Sequence, residues 1–506
     1  MLVTELIKRG AHQFGSRTAI LFEDQRLTFT EADRLAAQIA NTLLGPCQAA
    51  PGERIGLFLG NSLYGIPVDF ACAKAGLIRV PLNSRLAQAE HVHMLITAKV
   101  RLLIHGAEYT SRAQALQAAI PGLRRFCLED DLLPLADSAS AADPDILHKP
   151  EAPVLALFTS GTSGKLQAAV HTQSSWAAVA LNILANLIDF QPGDTMLHAA
   201  SMIHASGTFI LPCWVRGATA AILPGFDPPE YLEAIARWRP TACNLVPTML
   251  AMLLDHPGIE QADLSSLRSI VYGASPMPRP VIARALALWG PRFVQYYGQT
   301  EAPLCIASLS GADHLDPVRQ LSCGRPAVEC ELRLIDEPGN DVAKGEVGEI
   351  AVRAPFTMQG YLDAPELNAN SFLPGGWLRT RDLGRTDAEG YLYLVDRTSD
   401  MIITGGYNVY AREVEDALGA HPAIREVAVV GLPHDKWGEA VTAFVVLRDT
   451  PGASAQELIE YARGFVAGYK VPKQVLFIDA IPKSAVGKPL RRVLREPYWH
   501  GHERRL

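Results

Sequence analysis

Pro153-Val-Leu-Ala-Leu-Phe158 runs without a break into Thr159-Ser-Gly-Thr-Ser-Gly-Lys165. The first six residues are an apolar strand candidate, and the next seven are small, hydroxylated and rich in glycine. Glycines let a backbone turn tightly and bring N–H groups near an anion. The hydroxyls of Thr159, Ser160, Thr162 and Ser163 add neutral donors, and Lys165 adds one charge. Together they describe a wrap for phosphate oxygens. A P-loop is the obvious rival. It needs Gly at 159 and Ser or Thr at 166, and the chain has Thr159 and Leu166. A plain flexible Ser/Gly loop is the other reading of the stretch taken alone.

Working outward, helical and strand patterns alternate. Residues 30–43 carry Ala32, Leu35, Ala36, Ile39, Ala40 and Leu43 at helical spacing. Residues 54–59 read as a strand, 67–76 as a helix, and 240–247 and 269–272 as buried strands. Such alternation predicts α/β layers around mainly parallel strands. After about residue 325 the texture turns β-rich, with strands over 329–336 and 346–353. From Thr404 a compact α+β pattern follows: helix 411–418, strands 426–431 and 440–447, and helix 454–466 with Ser454 as N-cap and Glu457 three residues on. The expected organisation is a large α/β domain with a β-rich subdomain over 1–396, then a small mobile α+β domain over 400–506, with the hinge at 396–400.

The 506 residues are 48% hydrophobic and 20% charged, enough apolar material for a large core. A net charge of −7 argues against non-specific nucleic-acid binding. The eight cysteines show neither C-x-x-C pairing nor zinc spacing, so reduced buried thiols are expected. Charges interrupt the apolar run at the N-terminus, as no signal peptide would allow, and residues 176–188 are too short to span a bilayer. The terminal Glu503-Arg-Arg-Leu506 does not match a Ser-Lys-Leu address. A cytoplasmic protein without stable membrane insertion is expected, with a homodimer as the assembly to test.

Further blocks follow in order: Tyr296-Tyr-Gly-Gln-Thr-Glu301, Gly345-Glu-Val-Gly-Glu349, Gly376-Trp-Leu-Arg-Thr-Arg-Asp382, Asp396-Arg397 and Pro482-Lys-Ser-Ala-Val-Gly-Lys488. With the hydroxyl-rich loop they resemble the motif series of the adenylate-forming superfamily, which holds acyl- and aryl-CoA synthetases, amino-acid-adenylating domains and luciferases. The pattern is most similar to the acyl/aryl-CoA ligases and extends over essentially the whole chain. One block is weak evidence; their order gives the resemblance its weight.

The resemblance implies ATP, Mg²⁺ and coenzyme A, and a reaction in two halves. Acid and ATP give acyl-AMP and pyrophosphate; CoA then takes the acyl group and AMP leaves. Thr159, Ser160, Gly161, Thr162, Ser163, Gly164 and Lys165 would wrap the phosphates. Glu301 is the implied Mg²⁺ ligand, a hard carboxylate suited to an ion that keeps several waters. Thr300 would bond the α-phosphate, Tyr297 would stack on adenine, and Gly273, Ala274 and Ser275 would read its edge. Asp382 and Arg397 resemble the ribose pair. Lys488 would bridge the acid's carboxylate and the α-phosphate as charge develops. Rotation about Ser399 would then admit the thiol beside Gly405 and Gly406. Blander readings stand alongside: a structural carboxylate at Glu301, a core Tyr297, a surface ion pair at 382 and 397, a solvated Lys488. For Trp437-Gly-Glu439 a core Trp is preferred to a place on the CoA face.

Three positions depart from the family pattern. Leu166-Gln167-Ala168 stands where Pro-Lys-Gly is usual, so Lys165 is expected to supply the missing charge. Arg381 replaces a usual Gly, and Ser399 a usual Asp or Lys at the hinge. By motif position His204, Ala205, Tyr272, Gly298 and Leu304 would line the acyl pocket. They carry no cation for a second carboxylate, so an apolar aromatic or medium-chain monocarboxylic acid is expected. The alternatives are a ligase that loads a separate carrier protein and a non-enzymatic paralogue. An amino-acid-adenylating domain lacks its Asp near Ile203-His204-Ala205, and nothing demands the oxygen chemistry of a luciferase.

Overall fold

The computed structural model describes residues 1–160, 166–203, 205–275, 277–448, 452–483 and 488–500. The chain divides into two compact units, Met1–Leu332 with Val352–Leu378, and Arg333–Ala351 with Arg379–Leu506. Residues 396–400, the expected hinge, lie within the second unit.

Short strands buried along their whole length, such as Thr219–Ile222, Ala242–Leu245 and Ile78–Pro81, belong in parallel sheets covered on both faces. The first unit has two such sheets. The nine-stranded sheet is parallel from Phe293–Gln299 through Ser269–Gly273, Ala242–Leu245, Thr195–His198 and Thr219–Ile222 to Thr18–Phe22, with antiparallel strands at both edges. The seven-stranded sheet has Ile78–Pro81 at its centre, beside Arg54–Phe58, and ends on the antiparallel pair Pro153–Ser160 and Leu166–Thr172 with the short Gly360–Tyr361. One apolar cluster draws on both sheets (Ile20, Ile222, Ile55, Ile104) and on the helices Val3–Phe14, Phe29–Leu44 and Gly65–Lys74. The expected α/β layers are therefore present, with the predicted strands and helices shifted by a residue or two.

In the second unit, strand Gly438–Leu447 pairs antiparallel with Ile424–His434 and parallel with Gln474–Phe477. Helices Ala411–Gly419 and Ala455–Arg463 supply Val414 and Leu458 to the cluster over this sheet. The second helix starts as expected: Ser454 Oγ accepts the Glu457 N–H at 3.3 Å, and Glu457 Oε2 accepts the Ser454 N–H at 2.8 Å. It stops at Arg463, short of residue 466, where Gly464 follows.

All eight cysteines are free and buried, and burial pushes the Cys72 and Cys243 thiols up to about 12. Among the described residues no helix is long and apolar enough to cross a membrane.

Candidate active site

Pro153–Ser160 returns as Leu166–Thr172, with Thr159 opposite Gln167 and Ser160 opposite Leu166. Gly161, Thr162, Ser163, Gly164, Lys165 and the side chain of Ser160 lie outside the described residues, as does His204. The departure from the family pattern is thus the start of a returning strand. Residues opposite one another share a face, so Gln167 flanks Thr159.

At the end of this hairpin Thr159 Oγ1 lies 3.5 Å from Glu301 Oε1, and the Tyr361 hydroxyl donates to the same oxygen at 2.7 Å. Glu301 occupies the turn between strands Phe293–Gln299 and Ala302–Leu309. Two bonds fix that turn. The Met358 N–H donates to the Glu301 carbonyl at 2.7 Å, and His171 Nε2 meets the Thr300 carbonyl at 2.8 Å. His171 is fully buried, and burial pushes its imidazole down to about 4. The ring is neutral at pH 7, so Nε2 carries the proton and donates. Sequence reading missed Tyr361, which Asn368 holds in place through its backbone N–H at 2.6 Å and carbonyl at 2.9 Å.

Among the described residues, no three His, Cys, Asp or Glu side chains gather as a metal cluster. A divalent ion here would take Glu301 as its protein ligand and complete its shell with phosphate oxygens and water, the habit of Mg²⁺. A carboxylate steadied by two hydroxyls fits that role.

Gly273 ends its strand against Tyr296, where a Cβ would sit 2.6 Å from the ring. The next residue, Ala274, is left-handed at φ 69°, and Ser275 follows half-buried. Tyr297 is buried, 7% exposed. A Cβ on Gly298 would meet the Leu304 nitrogen at 3.0 Å. Leu304 and Cys305 have φ of 25° and 95°, and Asn182 Nδ2 donates to both their carbonyls at 3.0 Å. This bulge brings Gly298 and Leu304 together. Ala205 opens the helix Ala205–Thr208.

Tyr272 is a correction. Its side chain is 1% exposed, and its hydroxyl is bonded to His314 Nε2 at 2.8 Å and Gln295 Oε1 at 3.1 Å. Strand alternation puts Ile270 and Tyr272 together in the core cluster behind the sheet. Asn61 was invisible in the sequence. Its Nδ2 donates to the Ala200 and Leu223 carbonyls at 3.1 and 3.0 Å, and its Oδ1 accepts the Met202 N–H at 2.9 Å. It thereby fixes the segment that leads to His204.

In the second unit Asp382 stands opposite Arg397 across a strand pair, and Arg397 Nε lies 3.1 Å from Asp382 Oδ1. Lys488 is half-buried, next to the Lys483–Pro489 bridge, and the Leu490 N–H donates to the Pro482 carbonyl. Just beyond it, Arg491 pairs with Asp400 at 2.9 Å, and Arg495 donates to the Ser399 carbonyl at 2.8 Å. Gly405 and Gly406, at φ 57° and 83°, make the two-residue turn between Ile402–Thr404 and Tyr407–Val409, a turn that favours glycine by itself. Trp437 is not a core residue. It is half-exposed, stacks on His434 at 4.4 Å, and has Lys436 and Lys473 ammoniums 5.6 and 5.2 Å from its ring. Its carbonyl accepts the Gly405 N–H at 2.8 Å.

Parallel sheets covered by helices, a hydroxyl-bearing hairpin meeting one carboxylate, and an acid–guanidinium pair in the second unit are the features of an α/β enzyme. The chain belongs to the AMP-binding enzyme family, whose model matches residues 7–362, and the AMP-binding enzyme C-terminal domain matches residues 413–488. The adenylate-forming superfamily read from the motifs is the right one. Among relatives, a medium/long-chain-fatty-acid–CoA ligase, FadD8, of Mycobacterium tuberculosis is 37% identical over 99% of this chain and 90% of its own length. A feruloyl-CoA synthase of an Amycolatopsis species is 35% identical over 97% and 98%. The solved amide bond synthetase McbA of Marinactinospora thermotolerans superposes with a TM-score of 0.89 at 29% identity, covering 98% of this chain and 100% of that one.

Proposed function

We propose that this enzyme is an ATP-dependent acid–CoA ligase acting on an apolar monocarboxylic acid, aromatic or medium-chain. The observation that carries the reading is the meeting of Thr159 and Glu301, 142 residues apart in sequence, at the end of the strand that feeds the phosphate loop. In the first half-reaction a carboxylate oxygen bonds to the α-phosphorus and pyrophosphate leaves. Two anions approach, so their charge must be offset. Thr159 and the hydroxyl-rich run after it hold the phosphates, Asp382 and Arg397 hold the ribose, and Lys488 neutralises the oxygen being transferred. Mg²⁺ bound at Glu301 would supply further positive charge to the phosphates. In the second half-reaction the CoA sulfur bonds to the acyl carbon and AMP leaves with the electron pair of the broken C–O bond. Gly405 and Gly406 offer a thin ligand close approach, and the Trp437 ring with its lysines suits an adenine and its phosphates. Ala205, Gly298 and Leu304 offer the acid an apolar lining. The two relatives named for fatty-acid and feruloyl ligation agree with such acids.

Pyrophosphate release across aromatic, branched and C2–C12 acids, with and without CoA, tests this. Apolar acids should release pyrophosphate, and AMP release should require CoA. Lys488→Ala should lose ~10²–10³ in the rate of acyl-AMP formation, as for a lost transition-state donor. A variant as fast as the parent would remove Lys488 from the reaction. AMP release that needs a carrier protein or an amine instead of CoA would change the acceptor, and no pyrophosphate with any acid would leave a non-catalytic paralogue.

A further inference from the structure

The block Gly345-Glu-Val-Gly-Glu349 has no part in the contacts described so far. Its last residue, Glu349, is 5% exposed and lies in strand Gly348–Arg353, in the part that belongs to the second unit. Glu349 Oε2 accepts Arg379 Nε–H at 2.9 Å, and Oε1 accepts the backbone N–H of Arg381 at 3.1 Å. Arg381 stands at φ 62°, a left-handed conformation that side chains other than glycine's hydrogen resist. Its carbonyl accepts the Thr398 N–H at 3.0 Å, so the residue is gripped at both ends. Asp382 comes next. Its N–H donates to Thr380 Oγ1 at 3.2 Å, its carboxylate meets Arg397, and Thr380 Oγ1 in turn donates to the Ile350 carbonyl at 2.7 Å. Strained backbone that its surroundings over-determine, one residue from a binding side chain, suggests a positioning device.

We propose that Glu349 is a positioning residue for the nucleotide: its carboxylate holds Arg381 left-handed, and from that conformation Asp382 faces Arg397 and the ribose. The inference rests on the ribose reading of Asp382 and Arg397. Glycine adopts this conformation unaided, so the dependence on Glu349 comes with the arginine at 381.

The test uses Asp382→Asn, Glu349→Gln, Arg381→Gly and the double variant Glu349→Gln/Arg381→Gly. Steady-state pyrophosphate release gives KM for ATP and kcat, and calorimetry gives AMP affinity. Asp382→Asn should weaken AMP at least about tenfold, the loss of a charge-assisted contact. Glu349→Gln should raise KM for ATP about tenfold with kcat within about twofold, and the double variant should return to within about threefold of the parent. A merely structural Glu349 would lower the melting temperature and leave KM for ATP alone; that result, or a double variant no better than Glu349→Gln, overturns the inference. If Glu349→Gln is insoluble, a folded double variant with near-parental KM supports it and an insoluble one overturns it. Unchanged AMP affinity in Asp382→Asn overturns the ribose pair itself, and the inference with it.

Discussion

Gln167 shares a face with Thr159 and sets a neutral amide where the family pattern carries a lysine. Under the proposed function the cationic work would fall to Lys165, two residues earlier in the chain. Gln167→Lys should lower KM for ATP about three- to tenfold, since a charge-assisted contact in a partly exposed site is worth about 1 kcal/mol or somewhat more. Lys165→Ala should raise it by a similar factor. Both are read by varying ATP at saturating acid, and unmoved values in both variants would deny this hairpin a role in neutralising phosphate. Glu301 shows the same dependence on neighbours: its carboxylate is aimed by the Tyr361 and Thr159 hydroxyls, and its backbone by Met358.

The segment before His204 is held by Asn61 rather than by regular structure. Asn61→Ala would strand the Ala200 and Leu223 carbonyls and the Met202 N–H. KM for the acid should rise about tenfold while KM for ATP stays within about twofold, a split set by the cost of unmet hydrogen bonds at one loop. Equal KM values in parent and variant would detach Asn61 from the acid site. Elements whose cause is local were legible beforehand: the Ser454–Glu457 capping box, the helical stripe from Ala32 to Leu43, the buried strands around Cys243 and Val271. The motif blocks also announced Thr159, Glu301, Asp382 and Arg397, and the structure does bring Thr159 to Glu301 and Asp382 to Arg397. What stayed hidden depends on partners far along the chain, as with Tyr361, Asn182 and Asn61, or on strand phase. Tyr272 went to the core because it falls in step with Ile270. Trp437 stayed at the surface because His434 and two lysines cover its ring where a core would otherwise be needed.

For the molecule as a whole, buried histidines favour unfolding as the solution turns acid. Burial pushes His171 down to about 4 and His198 down to about 3 from an ordinary 6.5. Between those values the unfolded chain binds protons that the folded chain refuses. Their stabilisation is therefore complete above about pH 6.5 and is lost as pH falls towards 4 for His171 and towards 3 for His198, on the order of 3 kcal/mol for His171. Asp396, which burial pushes up to about 6 from 3.8, acts in the opposite sense over a smaller span. The melting temperature should fall steadily from pH 7 to pH 5, and less steeply in His171→Asn; an equal slope in that variant would exclude His171 from the effect.

The sheltering of every native thiol has a practical side. A single cysteine placed at the exposed Gln456, on the outer face of helix Ala455–Arg463, would react alone with a maleimide fluorophore. Its emission would report any movement of the second unit during turnover, with all eight natural thiols left in place.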